Sequence, residues 1–134
     1  MTYGLDTSVI MRLLARTTDT LSEFVRTRIC DLLDEGHDFY ISSLVASEVY
    51  FALQHHYGAT KQESVEALRA LAAEDGFNFP EEAKAALATP EVWKASPGFI
   101  DRMLAGEYSA KGYRTLSCEK SFRKLDFAEV MKET

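Results

Sequence analysis

A chain of 134 residues that is 46% hydrophobic and 27% charged is long enough to bury about two thirds of its unfolded surface, so it needs no disulfide staple to fold. No apolar run approaches the roughly 20 residues of a membrane span, and neither a basic segment nor an apolar core precedes Asp6, which predicts a cytoplasmic protein. Twenty-one acids against 15 bases leave a net charge of −6, which excludes attraction of a nucleic acid by the molecule as a whole; any such contact has to be local. Cys30 and Cys118 form no CxxC pair, which suits a reducing compartment and predicts two packing residues.

In chain order, Tyr3-Gly4-Leu5-Asp6 reads as a short strand that stops at a carboxylate. Thr7 and Ser8 then open a helix over Val9, Ile10, Leu13 and Leu14. The cluster Thr17 to Thr20 is a turn. From Leu21 the apolar residues recur at the helical period as far as Gly36. Asp38 to Ser42 reads as a second strand, and Ser42-Ser43 starts a helix through Tyr57 that Gly58 stops. Lys61 to Asp75 is a further amphipathic helix ending at Gly76. Phe77 to Phe79 is a short strand, and Pro80 starts an alanine-rich helix to Ala88. Past Ser96-Pro97-Gly98 a helix runs from Phe99 to Lys111. Arg114 to Ser117 reads as a strand, Cys118 to Phe122 as a loop or helical turn, and Asp126 to Met131 as a strand or a helix, with fraying from Lys132 to Thr134. Strands alternating with helices predict an α/β fold, one domain over residues 1–134, whose central parallel sheet of four or five strands carries helices on both faces.

Four acids fall at informative places. Asp6 stands at a strand's carboxyl end, where ligands bind in open α/β sheets; its plain structural alternative is a helix N-cap. Glu48 is spaced from Leu44, Phe51 and Ala52 so that it lies on or beside an apolar stripe. A carboxylate there needs an ion pair, hydrogen bonds or a cation. Asp101 falls in the first turn of a helix, where it also complements the dipole. Glu119 follows a strand as Asp6 does, and its plain structural alternative, the stronger one for this residue alone, is an exposed first-turn acid. Converging in one pocket, the four would repel one another unless a cation neutralised them, and all-oxygen ligands suit hard ions such as Mg²⁺ or Mn²⁺. Thr7, Ser8 and Ser117 are placed to orient ligands or waters around such an ion.

Leu5-Asp6-Thr7-Ser8-Val9, Ser47-Glu48-Val49, Phe99-Ile100-Asp101 and Thr115 to Phe122 occur in an order and spacing that resembles the PIN-domain nucleases. Within them the chain is similar to the VapC-type toxins of bacterial toxin-antitoxin pairs. The resemblance covers roughly residues 3 to 125. It implies a PIN-like fold in which Asp6, Glu48 and Asp101 bind a divalent metal, Mg²⁺ or Mn²⁺, with Glu119 as the fourth acid. The implied chemistry is metal-assisted endonucleolytic hydrolysis of RNA phosphodiesters. A small VapB-type antitoxin that covers the acids, and a homodimer, are the implied partners. Two positions depart from the family pattern: Glu119 stands where Asp is common, and Arg102 where a small or apolar residue usually follows the third acid.

Lys111, Arg114, Lys120, Arg123 and Lys124 place five bases around Glu119, and Arg12 with Arg16 forms a second basic rim after the first motif. Either rim suits local contact with RNA phosphates, and a solvated charged face is the structural alternative for each residue. His37, His55 and His56 lack a metal-binding spacing, and His55-His56 read as a solvated helix end. The leading expectation is a metal-dependent endoribonuclease toxin. A PIN-like module that binds protein or RNA with weak catalysis is the second. An aspartyl-nucleophile phosphotransferase ranks last, since that class needs a second Asp where Ser8 stands.

Overall fold

The computed structural model of the chain describes residues 1–15 and 18–132. Two compact units divide it, one over Met1–Pro80 and one from Glu81 onward. In the first, three strands form a parallel sheet in the order β1 (Thr2–Gly4), β2 (Asp38–Tyr40), β3 (Phe77–Asn78). Parallel neighbours need a helical crossover, and pairs of helices supply each one. Helices α1 (Thr7–Leu14) and α2 (Thr20–Asp34) join β1 to β2, and α3 (Ser43–Tyr57) and α4 (Lys61–Ala73) join β2 to β3.

An aromatic row sets the register. Tyr3 pairs with Phe39 and Phe39 with Phe77, with ring centroids 6.2 and 5.3 Å apart. Phe39 is fully buried and gathers Ile29 and Leu32 with the partly buried Leu5, Val9 and Leu13. Burying a side chain of that size contributes about 1.5–3 kcal/mol, so a slipped register is heavily disfavoured. The row also decides where the strands end. Gly4 lies opposite Tyr40, so Asp6 and Ser42, each two residues further on, leave the sheet at matching positions and cap α1 and α3.

Local signals end the helices where expected. Gly58 closes α3 with φ +65°, a conformation open to glycine at no steric cost. Gly76, at φ +91°, turns the chain into β3, and a Cβ there would meet Leu33 Cδ2 at 2.5 Å.

The second unit holds α5 (Glu81–Ala88), α6 (Phe99–Ala110), β4 (Thr115–Ser117), a 3-10 helix (Lys120–Lys124) and β5 (Ala128–Val130). Helices α5 and α6 pack through Ala83, Ala86 and Leu87 and through Phe99, Met103 and Ala105. The segment after Asp126, open between strand and helix in the sequence, pairs as a strand parallel to β4, with Ser117 opposite Val130. Phe122 anchors the 3-10 helix by its burial.

The α/β class with parallel strands holds. Its largest sheet has three strands, fewer than the four or five expected: five strands form among the described residues, hydrogen-bonded as three and two. They are short for local reasons. Strands β1 and β2 run into N-caps, and Pro80, which has no N–H, closes β3. No helix among the described residues is long and apolar enough to cross a membrane.

Candidate functional site

Asp6 is an exposed residue whose carboxylate is nonetheless held in place. Its Oδ1 accepts from the Ser8 hydroxyl at 2.6 Å and from the Val9 amide at 3.1 Å. Those bonds favour the ionised form. The Ser8 hydroxyl foremost, and then the Val9 amide, hold the Asp6 pKa below its ordinary 3.8. The N-cap alternative holds, and capping α1 is what orients the acid. Thr7, half-buried, is the first residue of α1.

Glu48 departs from expectation. It is exposed, and of the expected stripe Leu44 (70% exposed) and Phe51 (47%) are exposed too while Ala52 is half-buried. The buried face of α3 is Ala46, Val49, Tyr50 and Leu53. Glu48 therefore carries no desolvation penalty that an ion must relieve. Helix α1 packs against α3, so both acids of this unit sit on packed neighbours that start from one sheet edge.

In the second unit, Asp101 is half-buried in the first turn of α6, whose N-cap is Gly98 with no side-chain cap bond. Arg102 is half-buried: its Nε donates to the Pro97 carbonyl at 2.7 Å, so it braces the start of the helix. Glu119 is exposed and stands at the N-cap position of the 3-10 helix without a side-chain cap bond. Its amide donates to the Ser117 hydroxyl at 3.0 Å. Ser117 thus steadies the backbone of Glu119, whereas Ser8 bonds the carboxylate of Asp6 itself.

Lys111, Arg114, Lys120, Arg123 and Lys124 are all exposed, and none of the ion pairs formed among the described residues involves them. Arg12 is half-buried and meets Asp19 and Ser22; Arg16 lies outside the described residues. The sequence singled out Arg12 and Ser8 but missed their neighbours. A cleft of about 190 Å³ beside Ser8 is lined by Met11, Arg12, Ala15, Asp19, Ser22 and Tyr57. The signal was present at Asp19, which caps α2, but nothing local links it to Tyr57. His55 and His56 are exposed in the last turn of α3, as expected, with His55 stacked on Phe51. Both cysteines are exposed thiols rather than packing residues, since each lies on the solvent side of its segment.

The donors fit a hard divalent cation chemically, being carboxylates of which Asp6 is held ionised. Geometrically, no group of three or more His, Cys, Asp or Glu among the described residues is gathered closely enough to hold a metal ion.

No curated protein matches this chain. Among solved structures, one similar chain comes from the crystal structure of VapBC2 from Rickettsia felis bound to a DNA fragment from their promoter. It shares 14% identity at a TM-score of 0.42, with 98% of each chain covered. The family model described as PIN domain matches residues 3–128, which takes in β1 from Tyr3 onward, both capped strand ends and all four acids. The chain belongs to the PIN-domain family.

Proposed function

We propose that this chain is a divalent-metal-dependent endoribonuclease, the toxin of a VapC-type toxin-antitoxin pair, working as a single PIN-like domain in the cytoplasm. The observation that carries the reading is Asp6: an exposed carboxylate at the end of the first strand, oriented and kept ionised by Ser8 and Val9. In this reading Asp6, Glu48, Asp101 and Glu119 are the acids that hold Mg²⁺ or Mn²⁺, and the grouping of Asp101 and Glu119 with the other two rests on the sequence resemblance. A bound ion would supply Lewis acidity toward a phosphodiester.

The chain's own residues do the rest. Ser8 keeps the Asp6 carboxylate aimed, Ser117 steadies the backbone of the fourth acid, and Thr7 orients a ligand or water beside the first. Arg12, Lys111, Arg114 and Lys120 contact RNA phosphates, which lets a chain of net charge −6 hold a polyanion locally. A VapB-type antitoxin and a second copy of the chain are the proposed protein partners.

Glu119, where Asp is common, and Arg102 after the third acid favour a second reading, a PIN-like binding module of weak activity. Cleavage of total cellular RNA by the purified chain with Mg²⁺, with Mn²⁺, with chelator, and with Asp6→Asn separates the two. Discrete products that vanish with chelator and in the variant support the nuclease. A folded, partner-free chain that binds RNA and cleaves none under either metal supports the module.

A further inference from the structure

We propose that the cleft beside Ser8 is a nucleotide subsite for single-stranded RNA, in which Arg12 grips a phosphate and Tyr57 stacks on a base. The choice of polymer rests on the nuclease reading; the geometry of the cleft stands on its own. Its volume, about 190 Å³, falls below the roughly 300–1,000 Å³ of pockets that enclose a whole small ligand, so it suits one part of a chain anchored elsewhere. It is also linked to Asp6 through Ser8, which forms part of its wall and whose hydroxyl bonds the Asp6 carboxylate. RNA held at Asp6 would therefore enter the cleft with an adjoining nucleotide.

The walls are built for that occupant. Asp19 is committed to the start of α2: its Oδ1 accepts from the Ser22 amide at 2.9 Å and its Oδ2 from the Ser22 hydroxyl at 2.8 Å. The positive end of the helix offsets that carboxylate's charge. Arg12 leans on this buttress through Nη1 alone, 3.3 Å from Ser22 Oγ and 3.5 Å from Asp19 Oδ1, and Ser22 is fully buried. A guanidinium held along one edge keeps N–H donors on its other nitrogens, in a fork that matches phosphate oxygens. Tyr57, which lines the same cleft, is the last residue of α3 and 54% exposed. An aromatic ring at that exposure beside a cation is the pairing that single-stranded nucleic acid uses, base on ring and phosphate on cation; a duplex, with its bases stacked on each other, has none to offer.

The test is fluorescence anisotropy of a labelled single-stranded RNA of about ten nucleotides, random in sequence, with chelator present so that nothing is cleaved. Arg12→Gln should weaken binding about 10-fold and reduce the slope of log affinity against log salt by about 0.7, the loss of one phosphate contact on a single strand. Tyr57→Ala should weaken it about 5- to 10-fold and leave the slope unchanged, Tyr57→Phe should restore it, and duplex RNA should be indifferent to Tyr57. Arg12 also supports the start of α2, so Tyr57 variants, which remove only an exposed ring, keep the test decisive. A wild-type chain that does not bind the RNA, or Tyr57→Ala and Arg12→Gln binding with wild-type affinity and slope, overturns the subsite. So does displacement of the RNA by polyglutamate with dependence on Arg12 and none on Tyr57, which assigns the cleft to a protein carboxylate. Intact cleavage with normal binding in both variants removes the subsite and spares the nuclease; binding with both dependences by a chain that cleaves nothing does the reverse.

Discussion

Asp6 and Glu119 each stand just past the carboxyl end of a parallel strand and just before a helix, yet they end in different states. Asp6 is tied to the helix it opens, through Ser8 and Val9, and is held ionised. Glu119 heads a five-residue 3-10 helix with no side-chain cap bond, among exposed bases at 120, 123 and 124. The difference is one methylene and one helix. An aspartate at the N-cap position reaches back to the first free amides of a full α-helix, so its orientation is set before any ligand arrives. A glutamate ahead of a short 3-10 turn keeps its rotamer freedom and has to be ordered when it binds. The same contrast runs through the two units. Asp6, Asp19, Ser42 and Thr60 cap α1 to α4 with side chains, whereas α6 starts at Gly98 without one.

The largest expected effect is on cleavage. If the nuclease reading holds, Asp6→Asn should lower kcat/KM by about 100- to 1,000-fold, the scale for removing one preorganised electrostatic group, while the fold survives because Asn caps as well as Asp. Glu119→Gln, which removes an acid that is not preordered, should cost about 10-fold in the same assay. Equal losses would break the comparison.

Packing within the second unit comes next. Gly106 lets α6 approach α5, and a Cβ there would stand 2.8 Å from Glu82 Cβ. Gly106→Ala should destabilise the protein by about 1–3 kcal/mol in a denaturant titration, and an unchanged midpoint would show that α5 shifts freely.

Asp6→Ala should cost about 1 kcal/mol of stability near neutral pH, the charged part of it weakened by solvent because the residue is exposed. The folded pKa of Asp6 lies below 3.8, so that contribution is complete above about pH 4 and is lost as pH falls through the lower folded value. Wild type and variant should therefore converge in acid, and a gap that persists at pH 2 would mean the cap works without its charge. Smallest of all, Gly98→Ser should add a few tenths of a kcal/mol. The backbone there is extended and a Cβ meets only Ala95 O at 3.6 Å.

Much of this was legible because the signals are local. Ser42 and Gly58 bound α3 as their chemistry requires, and every bond that holds Asp6 lies within three residues of it. Glu48 shows where local reading stops. Helix α3 carries two apolar stripes, one through Leu44 and Phe51 and one through Ala46, Val49, Tyr50 and Leu53, and periodicity alone does not rank them. Packing against α1 and α4 chose the second and left Glu48 exposed. Cys30 and Cys118 were misplaced for the same reason: a cysteine's average burial says nothing about which side of its own helix or loop faces a neighbour.

By itself, then, the sequence determined the helix limits, the caps and the ionised, oriented state of Asp6, all of which depend on groups a few bonds apart along the backbone. The tertiary structure decided which strands pair, which face of α3 is buried and that Arg12, Asp19 and Tyr57 share a cleft. Those outcomes need contacts between residues tens of positions apart, whose energies come from packing and not from any short stretch of chain.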